Sequence, residues 1–150
     1  MDVSSYKEYL LTDIADIEST SDKEYPEGTL ILNMSAISST PIEDICYLTC
    51  GRISDRRGVA IILKDSNMCM PRYFEITVKN SLPEFINKYK QNINLSKDTL
   101  KHLKVCIHDK ETQEFIVDVM EHVDALSRQA ERELNTAKDL KKYLLNRMMI

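Results

Sequence analysis

Glycine and proline are scarce in this chain of 150 residues, which contains three glycines and four prolines. Neither occurs after Pro83, so the last third lacks the two residues that most strongly interrupt a helix. The stretch Glu111–Met148 is also amphipathic and predicts one unbroken helix. At about 1.5 Å per residue this helix is roughly 55 Å long, more than the width of a globule of this size. We therefore expect its far half to need a partner helix.

Long apolar runs are absent as well. No run reaches the roughly 18 residues that a membrane span requires, and no basic leader opens the sequence. We expect a soluble, cytoplasmic protein with no membrane partner. The four cysteines lack the spacing of a disulfide framework and lie among apolar residues, which predicts reduced, buried thiols. They are Cys46, Cys50, Cys69 and Cys106.

Catalytic signatures are missing too. The sequence contains no Gly-rich phosphate loop, Gly-x-Ser-x-Gly, His-Glu-x-x-His or Asn-Pro-Pro-aromatic motif. Asp139-Leu-Lys141 has a spacing seen in nuclease sites, but no acidic strand pair precedes it. Cysteines and histidines within 46–50 and 102–108 could bind zinc in principle, although their spacing matches no compact zinc knuckle. We predict a non-enzyme with no catalytic residue, cofactor or metal site.

The predicted helix carries a continuous apolar stripe. With Ile116 at heptad position a, all five a positions are apolar, whereas the d positions are charged at Glu133 and Arg147. Neighbouring apolar residues continue the stripe there, which is typical of a straight helix drifting across its seam. The predicted dimer interface consists of Val123, Leu126, Ala130, Leu134, Ala137, Leu140, Leu144 and Met148. Burying four or five large side chains per helix at about 1.5–3 kcal/mol each favours a stable dimer.

The first 110 residues predict an α+β domain of short strands and helices. Strands are predicted at Thr29–Leu32, Val59–Leu63 and Leu103–Ile107, where apolar and β-branched residues dominate. A short helix or helix-turn is predicted within Tyr6–Ile17 from the helical spacing of its apolar residues. Tyr25-Pro-Glu-Gly28 is predicted to be a turn.

Four further segments carry local signals. Ser81-Leu-Pro-Glu84 fits a capping box that would begin a helix. Asn92–Ser96 is predicted to cap a short helix that ends near His102. The runs Ile42–Thr49 and Arg72–Val78 are compatible with either strand or helix.

The net charge of −4 conceals an asymmetry. Residues 1–50 contain two lysines and ten acids, residues 51–110 contain twelve bases and six acids, and the last forty contain six bases and eight acids. A basic middle can form a nucleic-acid face, because the local field rather than the total charge steers phosphate. Alternatively, the acidic and basic parts neutralise each other across the fold, which charge alone favours.

Six stretches, in order, carry a resemblance that spans most of the chain. They are Leu11–Ile17, Gly28–Leu32, Pro71–Phe74, Asn92–Ser96 with Leu103–Ile107, Glu111–Gln113, and Asp139–Leu145. The first three resemble an opening L-G-D-I-A-D-I signature, a G-D-hydrophobic strand and an aromatic pair that begins a helix, in that order. The fourth resembles the G-x-N-I-S … I-x-I-P exit from the domain. The last two resemble the E-Q start and the L-K-K-x-L-L end of the conserved helix. This is the pattern of the specificity subunit of type I restriction–modification systems, whose two long helices pair antiparallel. His108-Asp109 and Gln91 depart from it, and the globular part is shorter than usual.

The resemblance implies a half-size specificity subunit, with a target-recognition-like domain at residues 1–110 and a dimerisation helix at residues 111–150. Such a subunit would form an antiparallel homodimer and bring a separate methyltransferase or nuclease subunit to double-stranded DNA. Within this resemblance the predicted DNA-binding residues are Arg52, Arg56, Arg57, Lys64 and Arg72. A cluster of guanidiniums can grip phosphates or pair bidentately with guanine O6 and N7. Alternatively, the arginine loop is solvated, with Asp55 paired internally.

A second class of function competes with DNA targeting. The acidic first fifty residues and the short domain favour a helix-mediated protein–protein interaction or scaffold protein that keeps the fold but does not read DNA.

Overall fold

A computed structural model describes residues 4–33, 46–53, 58–89 and 97–149. Its elements, in chain order, are β1 (Lys7–Leu10), α1 (Leu11–Ile14), β2 (Ala15–Ser19), β3 (Glu24–Asn33), β4 (Cys46–Arg52), β5 (Gly58–Leu63), α2 (Pro71–Tyr89), α3 (Lys97–Leu100), β6 (Lys104–Ile107) and α4 (Lys110–Met148). The chain divides into two compact units, Met1–Glu114 and Phe115–Ile150. This arrangement confirms the predicted α+β domain followed by one long helix.

The main sheet has the strand order β2-β5-β3-β4, and every neighbouring pair is antiparallel. Its two middle strands contribute the buried runs Leu30–Leu32 and Val59–Ile61. Such continuous apolar runs suit strands whose two faces are both covered. The strands predicted at Thr29–Leu32 and Val59–Leu63 are confirmed, and the ambiguous run Ile42–Thr49 ends in β4, while its residues 42–45 lie outside the described residues.

The predicted turn at Tyr25–Gly28 is instead an irregularity within β3. The register with β4 shifts between Tyr25 and Thr29, and Gly28 has φ of 86°. A Cβ atom at Gly28 would lie 3.0 Å from Cγ of Pro71. Both the positive φ and the close approach therefore require glycine at this position.

The short helix or helix-turn predicted within Tyr6–Ile17 is confirmed only as the single turn α1, because the residues on either side form the strands β1 and β2. β1 pairs with β6 in a two-stranded antiparallel sheet, and β2 is an edge strand of the main sheet that pairs with β5. The Leu11 N–H donates to the Leu103 carbonyl at 2.8 Å. Pairing with distant strands thus overrides the helical spacing of the apolar residues. The strand predicted at Leu103–Ile107 is confirmed as β6.

The capping box predicted at Ser81 is also wrong, because α2 begins ten residues earlier at Pro71. The Ser81 hydroxyl donates to the Thr77 carbonyl at 2.9 Å, as it does inside a helix, and Pro83 lies in the helix interior. Pro71 suits the first turn of α2. An N–H group at that position would have no intrahelical acceptor, so the lack of this group in proline costs the helix no hydrogen bond. The ambiguous run Arg72–Val78 is therefore helical. The predicted cap at Asn92–Ser96 lies outside the described residues.

Asp109 caps the N-terminus of α4. Its Oδ1 accepts the Thr112 N–H at 2.8 Å, which satisfies one donor of the first turn. Hydrogen bonds from the Thr112 side chain and backbone hold the pKa of Asp109 below its usual value. The helix then continues without interruption to Met148, as the sequence predicts.

Candidate functional site

Arg52 is the predicted DNA-binding residue that the structure places most clearly. It ends β4 directly opposite Glu24 of β3. Its Nε donates to Oδ1 of Asp22 at 2.6 Å, and its Nη2 donates to Oδ2 of Asp22 at 3.1 Å. This hydrogen-bonded carboxylate raises the pKa of Arg52. The side chain is nevertheless 68% exposed.

The connection between β2 and β3 holds Asp22 in place. Thr20 is bonded to Gly58 three times: its N–H and its hydroxyl donate to the Gly58 carbonyl at 3.0 and 3.1 Å, and its hydroxyl oxygen accepts the Gly58 N–H at 3.0 Å. On the other side, the Ser21 N–H donates to the Tyr25 hydroxyl at 2.9 Å. The backbone is therefore anchored at the residues immediately before Asp22.

Lys64 and Arg72 are also bonded within the protein. Lys64 Nζ donates to the Thr12 carbonyl at 2.8 Å. Arg72 Nη1 donates to Oε1 of Glu75 at 2.6 Å, and Lys79 Nζ donates to the same oxygen at 3.0 Å. The Glu75 side chain is only 9% exposed, so its two cations compensate a buried carboxylate.

Arg56 and Arg57 lie outside the described residues. The structure therefore gives positions for Arg52, Lys64 and Arg72 alone among the predicted DNA-binding residues, and these make their bonds to different parts of the domain. Sequence reasoning missed Asp22 and Glu75 as their partners. Glu75 had a local signal, since it stands three residues after Arg72 on a helix. Asp22 and Arg52 are thirty residues apart, so no local pattern in the sequence indicated that they pair.

Two of the cysteines form part of the core. Cys46 and Cys69 are unpaired and buried, as predicted, and burial raises the pKa of each thiol to about 12. Cys106 is half-buried, and the Cys50 side chain lies outside the described residues. Within the parts of the chain that the structure describes, no group of three or more histidine, cysteine or acidic side chains could hold a metal ion.

The helix α4 exposes its apolar face. From Glu121 to Met149 every residue is exposed except Asp124, which is half-buried. The larger residues of the predicted interface have exposed fractions between 46% and 80%. They are Val123, Leu126, Leu134, Leu140, Leu144 and Met148. Ala130 and Ala137 lie exposed between them. Large apolar faces are seldom left exposed on soluble monomers, and they occur most often where a protein meets a partner.

Charge is distributed unevenly along the same helix. Five acids and no base lie between Glu111 and Asp124, whereas four bases and one acid lie between Lys138 and Arg147. The helix is therefore acidic toward its N-terminus and basic toward its C-terminus.

Among the described residues, no helix is both long enough and apolar enough to cross a bilayer.

The fold of this chain, an α+β domain followed by one long helix, is similar to that of a solved protein. That protein is the S subunit of a type I restriction–modification system from M. genitalium, and the TM-score is 0.64. The similarity covers 95% of this chain and 45% of the S subunit, at 13% sequence identity. This chain therefore spans about half the length of that protein, and the half-size S-subunit fold that the sequence predicts is confirmed. No protein-family model matches the sequence, and a comparison with curated proteins finds no match.

Proposed function

We propose that this protein is a non-catalytic DNA-targeting and scaffolding subunit that acts in the cytoplasm as half of a type I restriction–modification specificity subunit. The observation that carries this proposal is the similarity to an S subunit over 95% of this chain and 45% of the S subunit. Two copies of the chain would supply two recognition domains and two helices. Such an assembly would bring a separate methyltransferase or nuclease to duplex DNA.

The exposed apolar face of α4 supports homodimerisation. An unpartnered stripe that includes Leu126, Leu134, Leu140 and Leu144 is unfavourable in water, because each large side chain gains about 1.5–3 kcal/mol when fully buried. A second copy offers the same stripe, and a twofold axis pairs the two stripes with each other. The small side chains of Ala130 and Ala137 would allow the helices to approach closely in the middle.

The uneven charge of the helix favours antiparallel pairing. In an antiparallel pair the acidic segment Glu111–Asp124 of one copy lies against the basic segment Lys138–Arg147 of the other. A parallel pair would place acid against acid and base against base, which is unfavourable. Antiparallel helices also align their dipoles favourably.

DNA contact is assigned to the arginines and lysine predicted from the sequence, with Arg52 as the best-placed member. It is exposed at the end of a strand and keeps donors that Asp22 does not use. Arg56, Arg57, Lys64 and Arg72 complete the proposed set. Together with the basic balance of residues 51–110, they provide the field that attracts a phosphate backbone.

The internal bonds of these cations favour a second candidate function. Arg52, Lys64 and Arg72 each bind an oxygen of the protein itself, which is consistent with charge neutralisation within the fold. On this alternative the chain is a scaffold that binds a protein partner through α4 and does not contact DNA.

Affinity purification of the tagged chain from its native host, followed by mass spectrometry, tests the proposal. A DNA methyltransferase is expected among the proteins that co-purify in stoichiometric amounts. The Asn135→Asp variant changes the charge of α4 outside the leucine stripe, and we expect it to co-purify with the same partner. Recovery of protein partners without any DNA methyltransferase or nuclease would favour the scaffold alternative and contradict the proposal.

A further inference from the structure

We infer that Asp22 is a positioning residue that fixes the Arg52 guanidinium so that its free edge can pair with guanine in a DNA duplex. This inference rests on the proposed DNA-targeting function. It adds two points to that function. The first is a preferred base, guanine, and the second is a residue, Asp22, that acts through Arg52 and does not itself touch DNA.

The geometry of the pair leaves one edge of the guanidinium open. Asp22 takes the side-on edge, since it accepts from Nε at 2.6 Å and from Nη2 at 3.1 Å. The end-on edge, formed by Nη1 and the second N–H of Nη2, has no acceptor in the part of the chain that the structure describes. A guanidinium is planar and rigid, so holding one edge fixes the direction of the other.

The backbone around Asp22 is itself held in place. Three hydrogen bonds join Thr20 to Gly58, and the Ser21 N–H donates to the Tyr25 hydroxyl, whose ring is buried. An anchor of this kind reduces the conformational entropy that an exposed arginine would otherwise lose on binding. Arg52 is thus pre-organised in the absence of DNA.

The neutral charge of the pair favours a base over a phosphate. Asp22 and Arg52 together have no net charge, and the Asp22 carboxylate repels a phosphate that approaches the same guanidinium. The major-groove edge of guanine instead presents two uncharged acceptors, O6 and N7, that match the end-on edge of arginine. Guanine is therefore the acceptor that the pair suits best.

The test is a selection of random-sequence duplexes by the full-length chain, followed by binding titrations in which one guanine of the selected site is replaced by 7-deazaguanine. This analogue lacks N7 and so removes one of the two acceptors. For the wild-type chain we expect a fixed guanine whose replacement weakens binding by about tenfold. Arg52→Ala should lose this sensitivity.

Asp22→Asn should also lose the sensitivity to 7-deazaguanine, to within about twofold, because the amide cannot hold both guanidinium nitrogens as acceptor. Its salt dependence should become steeper by about one phosphate contact, since Arg52 is then free to bind the backbone. A purely structural role of Asp22 would not make the affinity for DNA fall more steeply with salt. Asp16→Asn, an exposed aspartate with the same charge change, should behave as wild type.

The outcomes separate the inference from the function on which it rests. Duplex binding that shows no guanine preference, or an Asp22→Asn variant that keeps full sensitivity to 7-deazaguanine, overturns the role of Asp22 but leaves DNA targeting intact. Absence of duplex binding by the wild-type chain overturns both.

Discussion

The side-chain amide of Gln113 donates to the backbone carbonyl of His108 at 2.8 Å, which ties the first turn of α4 to the end of β6. The same amide nitrogen donates to the Met68 carbonyl at 3.2 Å, and its oxygen accepts the Met70 N–H at 3.2 Å. Gln113 is 1% exposed. Its role is therefore structural, since it joins three backbone segments of the α+β unit.

Gln113→Ala should lower the free energy of unfolding by about 1–3 kcal/mol, because it removes the three hydrogen bonds that this buried side chain makes to the backbone. Chemical denaturation followed by circular dichroism at one fixed protein concentration measures this change. Gln129→Ala is the matched control, because the Gln129 side chain bonds the exposed Glu133 side chain, and its effect should stay within about 0.5 kcal/mol. Equal effects of the two substitutions would contradict the role assigned to Gln113.

The cap of α4 predicts that the free energy of unfolding depends on pH. Since the pKa of Asp109 is lower in the folded protein than its ordinary value of 3.8, its charged form stabilises the fold fully above that pH and loses this contribution as the pH falls through the folded pKa. Asp109→Ala should therefore be less stable than wild type at pH 7, and the difference should narrow below about pH 3.8. Thermal unfolding of both proteins at pH 7 and pH 3 measures it. A difference that is equal at the two pH values would exclude this linkage.

The proposed dimer makes a direct prediction for the apolar face of α4. Leu140→Asp and Leu144→Asp should each produce a monomer in light scattering, because a buried unpaired carboxylate costs more than the interface gains from one leucine. Asn135→Asp adds the same charge outside the predicted interface and should remain dimeric. If the leucine variants stay dimeric, the interface lies elsewhere.

The orientation of the two helices can be measured by spin labels in a chain whose native cysteines are replaced by alanine. In an antiparallel pair whose twofold axis lies near the middle of the predicted interface, labels at Asn146→Cys should be separated by about 30 Å or more, given a rise of about 1.5 Å per residue. Parallel helices, whose axes lie about 8–10 Å apart, would bring the same labels within about 20 Å. A label at Asn135→Cys, closer to the expected twofold axis, should give the shorter distance of the two positions. Short distances at both positions would exclude the antiparallel pair.

The elements predicted best from the sequence are those whose cause is local. The helix α4 is confirmed to within a residue of its predicted start, because an apolar stripe without glycine or proline determines it. The strand at Val59–Leu63 is confirmed because β-branched residues dominate it. Local patterns were right only for the single turn α1 within Tyr6–Ile17, where pairing with β5 and β6 decides the rest, and they failed at Ser81, where a capping sequence lies inside a helix.

The candidate site was predictable only in part, for the same reason. Residue type and charge point to Arg52, but its partner Asp22 is thirty residues away and belongs to a connection between two strands. Such a pair depends on the register of β3 with β4, which no local pattern determines. The positions at which two chains would meet along α4, by contrast, follow from the spacing of its apolar residues.

The proposed function depends most directly on whether the full-length chain binds duplex DNA through its arginines. Fluorescence anisotropy with a mixed-sequence duplex between 50 and 200 mM salt measures this. We expect the affinity to fall steeply with salt, as it does when several phosphates are neutralised, and we expect simultaneous Arg52→Ala, Arg56→Ala and Arg57→Ala to abolish binding. The charge-matched change of Lys97, Lys101 and Lys104 to alanine should weaken it far less. Binding that is absent, or that neither salt nor the arginine substitutions affect, would contradict the proposal.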